Sequence, residues 1–554
     1  GAKPTPKKGQ RKFQFISNAA LKLGLHVVGG PGAGKSRAVG RICAWEVLLS
    51  KQPGVILDPK GAIVDNLCDK IFRLPPEEQE PLWQRIVYLA PGRKDFLYSS
   101  PLYYRLHKTD TLFEMANRFP AVLKRIDPDL TSAPILGWNS LYECAIYAGE
   151  IAAALGEQLD FVADLIEHPG HYKVQLRHAL ADYPELKPAV EYFRALMDPS
   201  ASSLREKKTG SFKNKLLPFL ADPVRMATYA AKTNRLNWKK LLKLRKVILI
   251  DYRHQLDPDY LQFDMVWHLR TLMDAIKQRG MAGRGNEVTL IIDEITAMLG
   301  QRTHHGHSIL AEDLEELIAV LARNYAVNPI ICHQNLSQID ERIQNVLMQM
   351  GNQLIGQLSN PEDAMRVAQQ LFRYDPFWVK KTENVWHTIT PLPILSFFGG
   401  PSYPFPHVID KKLIEYTPQE QLLMWINKIL DLDRFQFFAQ IATGEGGKKG
   451  SVKKITLANL DKEQYPQEEL LAPLRSALAK RDGISLAEIL QTLYQRRPAR
   501  ESQKTKHPSS KPATLNNIHV TPDPVSQPDP ASLVSSPSGK SGEAHEADDE
   551  QVFQ

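Results

Sequence analysis

The chain has 554 residues, 43% of them hydrophobic, which supports buried cores in about two to four domains and excludes a wholly disordered protein. Its four cysteines, Cys43, Cys68, Cys144 and Cys332, lie far apart with no CxxC pair, so neither a disulfide framework nor a cysteine zinc site is signalled, and a reducing, cytoplasmic setting is expected. The net charge of +7 is small for this length, so its placement says more than its total.

Residues 1–17 read as a basic arm, because GAKPTPKKGQRK holds five Lys or Arg and no acidic residue. A solvated arm and the cytoplasmic flank of a membrane segment both fit, and membrane contact is expected only if an anchor has been removed from ahead of residue 1. No window approaches about 18 uninterrupted apolar residues; the longest candidate, ILGWNSLYECAIYAGEIAAALG, carries Glu143 and Glu150 and reads as a buried helix.

From residue 18 to 107 strand and helix alternate: LGLHVV, a helix after it, GVILD, IVDNLCDKIF, RIVYLA. This rhythm predicts the first part of an α/β nucleotide-binding domain with a doubly wound, mostly parallel sheet. Residues 108–240 lose the strand signal. There Leu112, Phe113, Met115, Ala116, Phe119, Val122 and Leu123 share one helical face, and an all-α domain inserted between sheet strands is expected. The α/β rhythm resumes over 241–457 with KVILIDY, a helix from Tyr260 to Lys277, EVTLIIDE, a helix from Ile309 to Tyr325, PIICHQ, a helix from Gln338 to Met350, NQLIGQL and the helical NPEDAMRVAQQLF. Within it FQFFAQIA and VKKITL, separated by GEGGKK, predict a hairpin that extends the sheet or covers its edge. Residues 458–497 read as short helices, and 498–554, rich in Pro, Ser and Lys and then acidic, as a disordered tail.

The turn after the first strand carries the chemistry. G-x-x-x-x-G-K-[ST] is complete in GGPGAGKS, so Gly29, Gly30, Pro31, Gly32, Ala33, Gly34, Lys35, Ser36 and the following Arg37 are the expected nucleotide contacts. The glycines free the backbone to point successive amides at a phosphate, and the helix beginning near Lys35 adds its N-terminal dipole. Lys35 supplies charge to the β- and γ-phosphates of ATP, and the Ser36 hydroxyl is suited to Mg²⁺. A P-loop needs an acidic partner at a neighbouring strand end. EVTLIIDE supplies Asp293 for the Mg²⁺ shell and Glu294 to polarise the attacking water. Gln334 ends the strand PIICHQ, where a side chain faces the crevice and can sense the γ-phosphate or orient water. Arg323, at the end of the preceding helix, either complements the helix dipole or, in a ring, reaches a neighbouring subunit's nucleotide.

Two further stretches are basic or histidine-rich. GQRTHHGHS, with Arg302, His304, His305 and His307, has no cysteine or carboxylate close by to complete a metal site, so a solvated or DNA-facing loop is preferred. In SSLREKKTGSFKNK, Arg205, Lys207, Lys208, Lys213 and Lys215 crowd an expected turn between helices and could face solvent or phosphate.

The order GGPGAGKS, VILDPKG, a helical insertion closing with SFKNKLLPFLADPVR and NRLNWKKLLKLRKVILIDY, LIIDE, then Arg323 eleven residues before Gln334, resembles the FtsK-HerA superfamily of RecA-like P-loop ATPases. Within it the order is most similar to the type IV secretion coupling proteins of conjugation, the TraG/TraD group, over about Leu23 to Phe372. The resemblance implies a hexameric ring that hydrolyses ATP to move DNA without sequence preference. It also implies a relaxase or other secretion-system protein as partner and a place at the inner face of the membrane. It makes Lys35 and Ser36 nucleotide ligands, Asp293 and Glu294 the Walker B pair, Gln334 the sensor and Arg323 an arginine finger acting in trans. Asp58 and Lys60 match the second-strand motif, whose usual following glutamate is replaced by Ala62 after Gly61. Two other readings stand beside this one: a HerA- or FtsK-like motor for repair, segregation or phage defence, and an adaptor whose ATPase fold recruits protein cargo. A small-molecule kinase has no place for the helical insertion.

Overall fold

The computed structural model describes residues 18–106, 108–126, 135–280, 287–299, 309–389, 405–443, 448–457 and 464–496. The basic arm, the loop with His304, His305 and His307, the GEGG turn and the tail fall outside them. Among the described residues a nine-stranded sheet has the order β14-β11-β8-β1-β7-β6-β2-β5-β3. Its strands are β1 (Leu25–Val28), β2 (Gly54–Asp58), β3 (Ile86–Leu89), β5 (Val247–Asp251), β6 (Val288–Ile292), β7 (Val327–His333), β8 (Asn352–Ile355), β11 (Gln436–Gln440) and β14 (Lys453–Thr456). From β3 across to β8 every pair is parallel. The expected hairpin extends this sheet: β11 runs antiparallel to β8, and β14 antiparallel to β11.

These strands are apolar throughout because both sheet faces are covered. Side chains alternate between the two sides, so Val55, Leu57, Ile248, Ile250, Leu290 and Ile292 join one core cluster while Ile56, Leu249 and Ile291 join another. The second cluster contains the helix that leaves the P-loop and the helix Ala62–Phe72. The first is continuous with the helical segment: Phe119, Cys144, Phe193, Trp238 and Trp267 pack in the same cluster as the strand residues. Between β4 (Phe96–Leu97) and β5 the described elements are all helical, as expected. β4 itself pairs with β15 (Ile484–Ser485), tying the C-terminal helices to this part of the chain.

Several local expectations change. Phe113 is 47% exposed while the other six residues named on that face are buried, since helix Leu112–Ile126 turns a narrower stripe inward. The basic stretch is no turn. Ser202–Ala221 is one helix, for Arg, Glu and Lys are good helix formers and Gly210 is tolerated within it. Three of its basic groups are engaged within the chain: Lys213 pairs with Glu167 at 2.9 Å, Lys208 lies over the Tyr192 ring, and Arg205 Nε donates to the Leu196 carbonyl. The hairpin of β9 (Val379–Ile389) and β10 (Phe405–Glu415) was not anticipated. Its strands, VKKTENVWHTI and FPHVIDKKLIE, are largely exposed and so lack the inward apolar alternation that marks a half-buried strand. A short pair, β12 (Ala442–Thr443) with β13 (Lys448–Lys449), lies between β11 and β14 in sequence. No helix among the described residues is long and apolar enough to cross a membrane.

Candidate nucleotide site

Parallel strands end their carboxyl termini on one edge, so the turns after β1, β2, β6 and β7 meet there. After β1 the chain makes the glycine turn, with Gly32 at φ 83° and Gly34 at φ 93°, conformations that a Cβ strongly disfavours. Space around Gly32 is open, as a loop that wraps a ligand requires. Lys35 starts the following helix, Lys35–Ala38, which continues through a π-helical stretch, Val39–Ala44, into Trp45–Leu49. Arg41 in that stretch is buried against Asp69 and Asn66 and fastens this helix to Ala62–Phe72. At Gly40 the two helices come so close that a Cβ would lie 3.0 Å from Ile63 O.

The Lys35 ammonium is buried and donates to the carbonyls of Gly29 and, at 3.2 Å, Gly30. Burial lowers its pKa from the ordinary lysine value, and Glu294 and Asp293 are among the groups that oppose the shift. Ser36 Oγ donates to Asp293 Oδ2 at 3.0 Å. Asp293 is buried, and its pKa is raised chiefly by desolvation, with Glu294 adding repulsion and the Ser36 bond opposing. A hydroxyl and a carboxylate in contact, inside a pocket that penalises negative charge, are the oxygen donors that suit Mg²⁺ beside a phosphate. The residues present therefore suit a magnesium nucleotide at this position, and Ser36 and Asp293 are the side chains that would hold the metal.

Glu294, the second residue after β6, has φ 57°, a left-handed conformation unusual for a residue with a side chain. Its carboxylate is held by three donors: Thr296 Oγ1 at 2.7 Å, Lys60 Nζ at 3.4 Å and Gln334 Nε2. The expected pair of Glu294 and Gln334 is thus in direct contact. Beneath them His333, next to Gln334, bonds to His26 of β1, which bonds in turn to Gln353 of β8. Burial lowers both imidazole pKa values, that of His26 to about 4, so this link across three strands is uncharged at neutral pH.

Asp58 and Lys60 separate in role. Asp58 is fully buried and caps the helix Ala62–Phe72: Oδ2 accepts from the amides of Ile63 and Val64 at 2.7 and 3.0 Å. Lys60 reaches the site through Glu294. Gly61, at φ 71°, lets Arg253 approach; its guanidinium bonds the Gly61 carbonyl, Asp65 and Asp251. Arg475 of the helix Glu468–Asp482 joins the same Asp65 at 2.7 Å, so the C-terminal helix grips this edge. Arg323, by contrast, is exposed at the end of Ala322–Asn324 and forms no hydrogen bond or ion pair among the described residues.

Sequence reasoning missed Thr296, Gln357 and Phe435. Thr296, in DEIT, is the kind of hydroxyl that folds back on a residue two positions earlier. The others come from 320 or more residues downstream and leave no local signal. Gln357 accepts the Gly30 amide at 2.6 Å through its carbonyl, and the Phe435 amide donates to Ala33 O at 3.1 Å, so two distant backbones shape the P-loop. A cavity of about 210 Å³ lies elsewhere, lined by Arg225, His254 and Asp264 among others and by no P-loop residue. Among the described residues no cluster of His, Cys, Asp and Glu forms a separate metal site.

No protein-family profile and no curated protein matches the chain. Among solved structures it is similar to the plasmid coupling protein TrwB in complex with the ATP analogue ADPNP, at 14% identity, covering 82% of this chain and 91% of that one, with a TM-score of 0.47. An unbound form of the bacterial conjugative coupling protein TrwB gives 13% identity, 81% and 88% coverage and 0.45. VirB4 of Thermoanaerobacter pseudethanolicus gives 12%, 72% and 91%, and 0.38. Values this low transfer no function, and the chemistry below rests on the residues of this chain.

The cap residue carries a pH prediction. Burial first, then the negative charges of Asp293 and Asp251, push the Asp58 pKa up from 3.8 to about 8. Across that window the unfolded chain loses the proton while the folded chain keeps it, so this carboxyl opposes folding more as pH rises. Asp58→Asn keeps an acceptor for the two amides and removes that penalty. Its melting temperature, relative to the parent chain without nucleotide, should rise from about pH 5 to about pH 8. An unchanged difference would deny Asp58 this linkage.

Proposed function

We propose that this protein is an ATP-driven DNA translocase of the conjugative coupling type, acting as a ring of identical subunits. The observation that carries the reading is the meeting of Lys35, Ser36, Asp293, Glu294 and Gln334 at one sheet edge while Arg323 stays exposed and without an ion pair among the described residues. Ser36 and Asp293 would hold Mg²⁺, which would supply positive charge to offset the charge that develops on the phosphates. Lys35 exchanges its carbonyl partners for the β- and γ-phosphates. Glu294 accepts a proton from the attacking water and Gln334 orients that water, so the γ-phosphoryl passes to the water oxygen and ADP leaves. Lys60 and Thr296 position the Glu294 carboxylate. Arg323 serves the pocket of the adjoining subunit, a role that suits an exposed side chain with no hydrogen bond or ion pair among the described residues. A relaxase or another secretion-system protein is the proposed cargo contact. The motif order described above, rather than any contact within the site, is what favours DNA as the moved polymer.

Lys35→Ala should abolish nucleotide binding or turnover, and Glu294→Gln should bind ATP while turnover falls roughly 10²- to 10⁴-fold. Equilibrium binding and phosphate release check both; a parental rate in Glu294→Gln would remove it as water activator.

Arg323→Ala should leave ATP affinity nearly intact and lower turnover by about 10³- to 10⁵-fold, the scale of a trans arginine. Mixing it with Lys35→Ala protein should restore part of the activity, because good fingers then face good pockets. No recovery in rings shown to exchange subunits would defeat the assignment.

DNA binding should be indifferent to sequence and fall steeply between low and physiological salt, as phosphate contacts release counterions. Fluorescence anisotropy with unrelated oligonucleotides measures this, and a salt-independent affinity would contradict it.

A further inference from the structure

The sheet order places the two ends of a nucleotide. β7 and β6, which carry Gln334, Asp293 and Glu294, lie on one side of β1, and β8 and β11 lie on the other. A γ-phosphate at Ser36 and Asp293 therefore leaves the nucleoside to extend across the first turn of the helix, past Arg37, towards the β11 side. That side is built from two aromatic rings and two guanidinium groups. Phe435, just before β11, takes φ 62°, and its ring lies so close to Gly34 that a Cβ there would be 2.3 Å from Cδ1. Arg37 is buried, with its guanidinium 5.8 Å from the centre of the Phe435 ring and 4.5 Å from that of Tyr465. Its Nη2 also donates to the Gln464 carbonyl at 3.3 Å. Arg434 lies 4.9 Å from the Phe435 ring and 5.1 Å from the Tyr465 ring. Tyr465 is nevertheless 55% exposed.

We infer that Tyr465, braced by Arg37 and Arg434, is the platform for the nucleobase and ribose end of the bound nucleotide. The inference rests on the nucleotide-binding reading above and extends it to a residue more than 400 positions from the P-loop. Its physical basis is stacking: nucleobases lie favourably on aromatic rings and on guanidinium planes, and this cluster offers both beside the loop that holds the phosphates. A half-exposed tyrosine close to two cations but serving only to pin the C-terminal segment would be indifferent to the base.

Calorimetric titration with Mg·ATP and with magnesium inorganic triphosphate separates these roles, since the second ligand has phosphates and no base. Tyr465→Ala should weaken ATP roughly tenfold and leave triphosphate unchanged. Tyr465→Phe should keep both affinities, and Tyr465→Leu, which retains apolar bulk without a π face, should behave as the alanine variant does. Equal losses for both ligands, parental ATP affinity in Tyr465→Ala, or parental ATP affinity in Tyr465→Leu would each overturn the assignment. If the parent chain binds neither ligand, the nucleotide reading itself fails, and the platform with it.

Discussion

The site depends on β1, β7 and β6 lying side by side and parallel. That arrangement brings Ser36, at the start of one helix, within 3.0 Å of Asp293, 257 residues later. It also sets Gln334 against Glu294, because β7 and β6 pair directly and end at the same edge. Parallel pairing cannot be made by tight turns. Each neighbour requires a crossover, and those crossovers cover both faces of the sheet with helices. The apolar runs that stabilise the centre and the convergence of polar groups at its rim therefore have one cause.

Charge at that rim is managed rather than avoided. Asp58, Asp251 and Asp293 are buried beside one another, a costly arrangement unless protons, cations or hydrogen bonds offset it. Arg253 and Tyr88 serve Asp251, helix amides serve Asp58, and Ser36 serves Asp293. Asp293 is the member of this group placed beside the P-loop, so a divalent cation arriving with phosphate would offset the repulsion that Glu294 adds there. Glu294 is held in a left-handed backbone and by three donors, which fixes its carboxylate before any substrate is bound.

The opposite flank of β1 uses different physics. There the P-loop is backed by the carbonyl of Gln357 and the amide of Phe435, and beyond them by rings and guanidinium groups. Backbone bonds hold the loop in shape whatever the side chains do, while the aromatic and cationic groups offer flat, polarisable surface. Under the proposed assignment, a phosphate end governed by charge and a nucleoside end governed by stacking would be open to independent alteration.

Local sequence determined much of this. Strand-length apolar runs separated by helical periods dictate a parallel sheet, because only a strand buried on both faces can be apolar at every position. The glycine spacing with Lys35 and Ser36, and the acidic pair ending LIIDE, are legible for the same reason: their chemistry is encoded within a few neighbouring residues. Tertiary structure alone decided what depends on distant partners. It made Asp58 a buried helix cap and Lys60 a brace for Glu294, roles that the spacing DPKG does not distinguish. It turned Phe113 outward although its periodicity suited the core, since only the neighbouring helices decide how wide the buried stripe is. The β9 and β10 hairpin escaped notice because strands exposed on both faces carry no period-2 signature. Phe435 reaches the P-loop through the sheet order β11-β8-β1 and Tyr465 meets Arg37 from still further along the chain, and no sequence pattern records either meeting.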